Sequence, residues 1–272
     1  MKPAVSVIMA AYNNRSTIIE AVDSVLAQTS PCWELIIIDD HSRDGTGSLV
    51  SQRYNDARIR VHRMNKNVGA GQCRNFGMQL ARGEFIAILD ADDRSLPNRH
   101  ELQLRAFESH PNAAAVSGHM LEFGSWGGPV LNRMSTDPTA IRRRQINGRM
   151  PIAHGASMFR RDVLLCAGGY DEGCRRAEDY GLFLRLFDKQ LISLDAPLIE
   201  YRTVRPISFG YVLRETANAN LALTRFEQRR AGVSEDMLPT TAKLSLRVLG
   251  LGTKNWVLRT INDYQNVSKS KF

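Results

Sequence analysis

Phe85-Ile86-Ala87-Ile88-Leu89, running directly into Asp90-Ala91-Asp92-Asp93, is the stretch that decides the fold. Five apolar residues in a row suit a strand buried on both faces, and such strands belong to parallel sheets covered by helices. Working outward, Val5-Ser6-Val7-Ile8-Met9 ends at Asn13-Asn14, and Leu35-Ile36-Ile37-Ile38 closes on Asp39-Asp40-His41-Ser42-Arg43-Asp44-Gly45. Between these two strands Ile18, Ile19, Val22, Val25 and Leu26 recur at helical spacing. Leu49-Val50 then begins another helix, and 58–62 reads as a further strand. Strand alternating with helix predicts a Rossmann-like α/β sheet, mostly parallel and flanked by helices.

Ligands of such sheets bind at the carboxyl ends of the strands. Three of those ends carry polar clusters: Tyr12-Asn13-Asn14, Asp39-Asp40 and Asp90 to Asp93. A strand needs no carboxylate to terminate, so three such loops on one edge point to a site. From about Ser95 the pattern loosens. A helix near 98–109 and a strand near 113–118 precede a Gly-, Pro- and Arg-rich stretch over 124–151, expected to be a long irregular loop. After Pro206 the chain reads as a mostly helical extension. No repeat or low-complexity segment is present.

The 272 residues are 43% hydrophobic and 24% charged, which fits a soluble globular protein and excludes collagen, coiled coil, a disordered tail and an integral membrane protein. The formal charge of +8 is uneven: residues 1–100 hold 12 basic and 11 acidic groups, residues 101–272 hold 24 and 17. A basic second part suits phosphate esters, lipid head groups or nucleic acid, and equally suits mere solubility. Cys32, Cys73, Cys166 and Cys174 form no C-x-x-C pair, so neither a disulfide framework nor a zinc knuckle is indicated, and a reducing cytoplasm fits. The run from Ala4 to Ala11 has the length of a signal-peptide core but fits a buried first strand better.

Four constellations carry chemistry. Asp90, Asp92 and Asp93 on one turn repel one another, and a hard divalent cation such as Mg²⁺ or Mn²⁺ relieves that; a helix cap is the plainer alternative. A D-x-D-x-T phosphatase turn would need Thr or Val where Arg94 stands. Asn67 to Gly77 holds three glycines and Arg74 ahead of a helix through Met78 to Ala81, which offers amides and a guanidinium to a diphosphate, or else a Gly-rich turn with Arg74 in a structural ion pair. Glu178-Asp179 opens a helix with Leu182, Phe183, Leu186 and Phe187 on one side. There the dipole keeps a carboxylate ionised, ready to take a proton from a hydroxyl, although capping explains Asp179 as well. His154, Arg160 and Arg161 could flank the site, or His154 could be a satisfied core residue.

In this order, V-S-V-I-M-A-A-Y-N at 5–13, W-E-L-I-I-I-D-D-H-S-R-D-G-T at 33–46, N-V-G-A-G-Q-C-R-N-F-G at 67–77, G-E-F-I-A-I-L-D-A-D-D at 83–93 and A-E-D-Y-G-L-F-L-R-L at 177–186 resemble the family 2 glycosyltransferases. These are inverting enzymes of the GT-A fold, and the resemblance covers about residues 4–205. It implies a nucleotide-sugar-binding half over 1–95 and an acceptor-binding half over 96–205, and the mostly helical extension over 206–272 lies outside it. It also implies a sugar moved from a nucleotide-sugar donor, a UDP-sugar, to a hydroxyl of a saccharide or lipid-linked saccharide in polysaccharide or glycoconjugate synthesis.

Residue by residue, the resemblance places Ala10, Tyr12 and Asp40 around the base, with Asp40 accepting from a uracil imide, and Arg74 near base and diphosphate. Asp90 and Asp92 fall near ribose and metal, Asp92 and Asp93 are the ligands of Mn²⁺ or Mg²⁺, and Asp179 is the catalytic base with Glu178 beside it. The usual Ala-Arg-Asn reads Cys73-Arg74-Asn75 here, a small-for-small change. The Q-x-x-R-W element of processive members is absent, so transfer of one sugar or a few is expected. A catalytically silent nucleotide-sugar-binding scaffold is the alternative. A nucleic-acid binder has only the charge excess in its favour.

In the extension, Leu244, Val248, Leu249, Leu251, Trp256, Val257, Leu258 and Ile261 are interleaved with Lys243, Arg247, Lys254 and Arg259. That pattern fits a basic amphipathic surface lying peripherally on anionic membrane, or a helix pair packed on the domain.

Overall fold

The structure is a computed structural model that describes residues 2–147, 149–243, 245 and 248–258. Its strands are β1 (Val5–Ala11), β2 (Trp33–Asp39), β3 (Ile59–Arg63), β4 (Phe85–Ile88), β5 (Arg94–Ser95), β6 (Ala113–Gly124), β7 (Gly127–Asn132), β8 (Met158–Arg160) and β9 (Gln190–Arg202). The helices are α1 (Ile18–Leu26), α2 (Thr46–Arg53), α3 (Ala70–Leu80), α4 (Arg99–Ser109), α5 (Pro138–Ile146), α6 (Arg161–Cys166), α7 (Glu178–Arg185) and α8 (Phe209–Arg230). Among the described residues the strands form one sheet in the order β3-β2-β1-β4-β8-β6-β9-β5, with β7 attached to β6.

The continuous apolar runs become the centre of this sheet. β1 pairs in parallel with β2 on one side and β4 on the other, in register Val7 with Leu35 and Val7 with Ala87. Because side chains alternate along a strand, Val7, Met9, Leu35 and Ile37 pack on one face with Ile18, Val22 and Val25 of α1, while Ile8, Ile36, Ile38, Ile86 and Ile88 pack on the other with Cys73 and Met78 of α3. Each fully buried isoleucine contributes roughly 2–3 kcal/mol. Gly77 brings α3 close: a Cβ there would lie 2.7 Å from Cγ2 of Ile8. Strand order reverses between β1 and β4, so a crevice opens at their carboxyl ends, where Tyr12 and Asp90 follow.

Three features differ from the sequence reading. The sheet is parallel from β3 to β4, but β8 pairs antiparallel with β4 and with β6, and β5 antiparallel with β9. α3 starts at Ala70 rather than near Met78, so Gly71, Arg74 and Gly77 stand on the helix itself; glycines chosen for close packing mimic a loop in sequence. The stretch over 124–151 is not irregular throughout, because it contains β7 and α5. Asp137 caps α5 by accepting from the Thr139 and Ala140 amides, and Pro138 occupies the first turn.

The extension packs on the domain. Ser208 caps α8, and Ala222 lies 3.7 Å from where a Cβ on Gly181 of α7 would be. Residues 248–258 are helical, with Val248 buried and Trp256 Nε1 donating to the Ile207 carbonyl at 3.2 Å. Leu249, Leu251, Val257 and Leu258 remain exposed, and Leu244, Arg247, Arg259 and Ile261 lie outside the described residues. No described helix is long and apolar enough to cross a membrane.

Candidate active site

Arg74 is the hub of the crevice. It projects from α3 with 5% of its surface exposed, donating through Nη2 to Asp90 Oδ1 at 2.7 Å and through Nη1 to Glu178 Oε1 at 2.8 Å. One guanidinium therefore joins the turn after β4 to the start of α7, and Glu178 lies 104 residues from Arg74 in sequence. These contacts are those of the ion pair that the sequence allowed for Arg74. Its guanidinium also lies 5.5 Å from the Tyr170 ring, and its buried Nε has no partner among the described residues.

The carboxylates divide by environment. Burial disfavours the charge on Asp90, but Arg74 outweighs that and holds its pKa below the usual range. Burial and the neighbouring Asp90 push Asp92 up and raise Asp93 well above normal. Asp93 Oδ1 accepts the Arg202 amide at 2.8 Å, whereas its buried Oδ2 has no partner. A Cβ on Gly155 would lie 3.7 Å from that Oδ2 and 3.8 Å from Asp90 Oδ2, so both oxygens border the space left by this glycine. Among the described residues no group of three or more His, Cys, Asp or Glu forms a cage for a metal. An orphaned carboxylate oxygen beside a second one nevertheless fits a cation of the kind held by one or two carboxylates plus substrate phosphates.

Asp179 sits in the first turn of α7, which starts from Ala177 in the left-handed conformation at φ 57°. Its Oδ1 accepts the Tyr180 amide at 2.7 Å. Burial, with Glu178 adding repulsion, raises its pKa to about 6, so burial outweighs the helix dipole that the sequence reading invoked. The group is still mostly ionised at neutral pH. Glu178 is committed to Arg74.

Asp40 is 3% exposed and accepts from the Val68 amide at 2.7 Å, the Gly69 amide at 2.8 Å and Asn67 Nδ2 at 2.9 Å. It shapes the turn that launches α3. Tyr12 is exposed just beyond β1, and Ala10 lies at that strand's end. His154 is buried and bonds Tyr170 Oη through Nε2 at 2.8 Å; burial lowers its pKa to about 3, so it is neutral, as a satisfied core histidine would be. Arg160 is used structurally, donating to the Ala113 carbonyl and lying over Phe85 and Phe107.

Sequence reasoning missed the frame around these groups. Asn75 brackets Tyr170, donating to its carbonyl and accepting its amide, both at 2.8 Å. Arg202, at the end of β9, donates through Nε to the Asp92 carbonyl at 2.9 Å and through Nη2 to Glu20 at 2.8 Å. Fully buried Arg99 holds the Ile88 carbonyl at 2.8 Å beneath the acidic turn. Only the Arg-Asn pair at 74–75 had an audible signal; the others sit in segments with no motif.

The glycosyl transferase family 2 model matches residues 6–167, and the chain belongs to that family. EpsE of Bacillus subtilis, a protein assigned as a glycosyltransferase, is 35% identical over 195 residues, covering 69% of this chain and 68% of EpsE. WfgD of Escherichia coli, a UDP-Glc:alpha-D-GlcNAc-diphosphoundecaprenol beta-1,3-glucosyltransferase, is 41% identical over 100 residues, covering 37% of this chain and 39% of WfgD. Staphylococcus aureus TarS 1-349 in complex with UDP-GlcNAc has the same fold, with a TM-score of 0.63 over 98% of this chain and 91% of that one at 18% identity. The chain thus has the GT-A fold and is a glycosyltransferase whose relatives act in polysaccharide and glycoconjugate synthesis.

Proposed function

We propose that this enzyme transfers one sugar, with inversion, from a UDP-sugar to a hydroxyl of a saccharide or lipid-linked saccharide acceptor. The observation that carries the reading is the Arg74 bridge: it couples the acidic turn after β4 to the helix bearing Asp179 through two charge-assisted hydrogen bonds. WfgD, named for UDP-Glc chemistry, supports the donor class. WfgD supports a lipid-diphosphate acceptor.

In this reading Asp179 takes the proton of the acceptor hydroxyl as its oxygen bonds to the anomeric carbon, and the bond from that carbon to the diphosphate oxygen breaks. The unpartnered Nε of Arg74 offers the departing diphosphate a buried donor. Ala10, Tyr12 and Asp40 border the base, and Asp90 and Asp92 the ribose. Asp92 and Asp93 would hold Mn²⁺ or Mg²⁺, which when bound neutralises charge on the leaving group. Residues 1–95 serve the donor and 96–205 the acceptor.

A cytoplasmic location is supported by four free thiols, and peripheral membrane contact by the exposed Leu249, Leu251, Val257 and Leu258. Flotation with anionic vesicles tests that contact, and a protein that stays at the bottom of the gradient rejects it.

Hydrolysis of UDP-, GDP- and TDP-sugars with Mn²⁺ or Mg²⁺ tests the reaction. We expect turnover of a UDP-sugar that Asp92→Ala abolishes and Asp179→Asn reduces at least a hundredfold. Binding without turnover in the presence of saccharide acceptors would favour the silent scaffold, and no binding would remove the donor site.

A further inference from the structure

A groove of about 480 Å³ runs between α5, α7 and α8, outside the crevice that holds Arg74. Its floor is apolar: Tyr180, Leu184 and Phe187 recur at i, i+4 and i+7 along and just beyond α7, and Leu223 and Phe226 face them from α8. Its rim is cationic. Arg230 lies over the rings of Phe187 and Phe226, at 5.3 and 5.7 Å, and Arg142 donates to the Phe187 carbonyl. Ile146, 66% exposed, forms the lip between this groove and a neighbouring depression lined by Arg142 and Arg143.

None of Arg142, Arg143 and Arg230 has an acidic partner among the described residues, and Glu227 is the one acid along the groove. Guanidiniums free of carboxylates at the mouth of an apolar channel complement an anion carrying a hydrocarbon tail. A plain phosphate leaves the apolar floor unused, and a neutral lipid leaves the charges unused. Tyr180, at one end of the groove, follows Asp179 on α7. From Tyr180 to Phe187 the groove runs about 10 Å along the helix axis.

We propose that this groove receives the prenyl diphosphate part of the acceptor, guanidiniums on the diphosphate and the first isoprene units on the apolar floor. The inference rests on the lipid-linked acceptor reading above and assigns that acceptor a binding surface.

Calorimetry with farnesyl diphosphate, farnesol and inorganic diphosphate tests it, using wild type and the variant Ile146→Asp/Arg230→Glu, whose two positions lie at the surface. The expected result is farnesyl diphosphate binding at least tenfold tighter than either fragment, undiminished by saturating UDP, and weakened at least tenfold in the variant while its UDP affinity stays the same. Displacement by UDP would place the probe in the donor crevice and overturn the proposal. Equal affinity in wild type and variant would overturn it too. So would no farnesyl diphosphate binding alongside variant-sensitive flotation on phosphatidylglycerol vesicles, which would make this face a bilayer contact. Wild-type protein that fails to bind UDP would count against the donor reading, and the farnesyl diphosphate arm is measured independently of it.

Discussion

Replacing Arg225 by Met isolates what fastens the extension to the domain. Arg225 and Asp171 are each 4% exposed at the side chain, and the guanidinium grips the carboxylate through Nε at 2.7 Å and Nη2 at 2.8 Å. Burial opposes the charge on Asp171, but hydrogen bonds from Arg229 and Arg225 prevail and hold its pKa far below the usual carboxylate range. Breaking a buried pair from one side typically costs about 3–5 kcal/mol, because the other charge stays buried. Here Arg229 still donates to Asp171 at 2.7 Å, so the lower end, about 3 kcal/mol, is expected. With a urea slope near ~3 kcal/mol/M, the unfolding midpoint should fall by about 1 M.

Adding Asp171→Asn to Arg225→Met should recover part of that loss, since an amide needs no counter-charge. The pH dependence has a definite sign: the folded pKa of Asp171 is depressed, so its contribution is full above the unfolded value near ~4 and is lost as pH falls toward the folded one. A midpoint shift below about 0.3 M, or a double variant less stable than Arg225→Met, would refute the desolvation argument.

Three further outcomes follow from the site. With burial raising the Asp179 pKa to about 6, the base role proposed for it predicts that kcat/KM falls below that pH, and that Asp179→Asn loses this limb together with at least a hundredfold in kcat. Arg74→Lys replaces a fork by a point charge that cannot hold Asp90 and Glu178 together, so kcat should drop at least tenfold and stability by about 2 kcal/mol, read by donor turnover and urea melts. Gly155→Ala introduces a methyl whose nearest neighbour, Ile199 Cδ1, is at an ordinary 3.6 Å, so the fold should be kept; cation stimulation should fall, because that methyl comes within 3.7 Å of Asp93 Oδ2 and 3.8 Å of Asp90 Oδ2.

What was legible in the sequence was the part specified locally. Runs such as Leu35 to Ile38 allow few conformations other than a doubly covered strand, so the parallel centre and its three polar ends followed from composition alone. The antiparallel strands did not. β8 is three residues long and β9 mixes buried with half-buried positions, so neither carries a clean period. Gly71 and Gly77 were misleading for a physical reason: both occur inside α3 because neighbours approach closely, Glu178 at one and Ile8 at the other, which no pattern of glycines can distinguish from a turn. The same limit hid the bridge itself. Asp90, Arg74 and Glu178 were each visible, but that one guanidinium holds both acids depends on the distance between α3 and α7.

The charge arrangement around that bridge makes a last prediction. Asp90, Asp92, Asp93, Glu178 and Asp179 gather near Arg74, Arg99 and Arg202, and two of those cations are already engaged: Arg74 with Asp90 and Glu178, Arg202 with Glu20. Arg99 is spent on the Ile88 and Ser157 carbonyls and Gln103. An anionic diphosphate thus approaches a crevice with surplus negative charge, one of whose carboxylates has a buried oxygen without a partner. Repulsion of that kind in a low-dielectric site amounts to several kcal/mol unless a cation enters with the ligand. UDP affinity measured by calorimetry should therefore weaken at least tenfold when divalent cations are chelated and recover on adding Mn²⁺ or Mg²⁺. Identical UDP affinity with and without chelator would mean that Arg74 alone supplies the positive charge, and the role given to the acidic turn would fail.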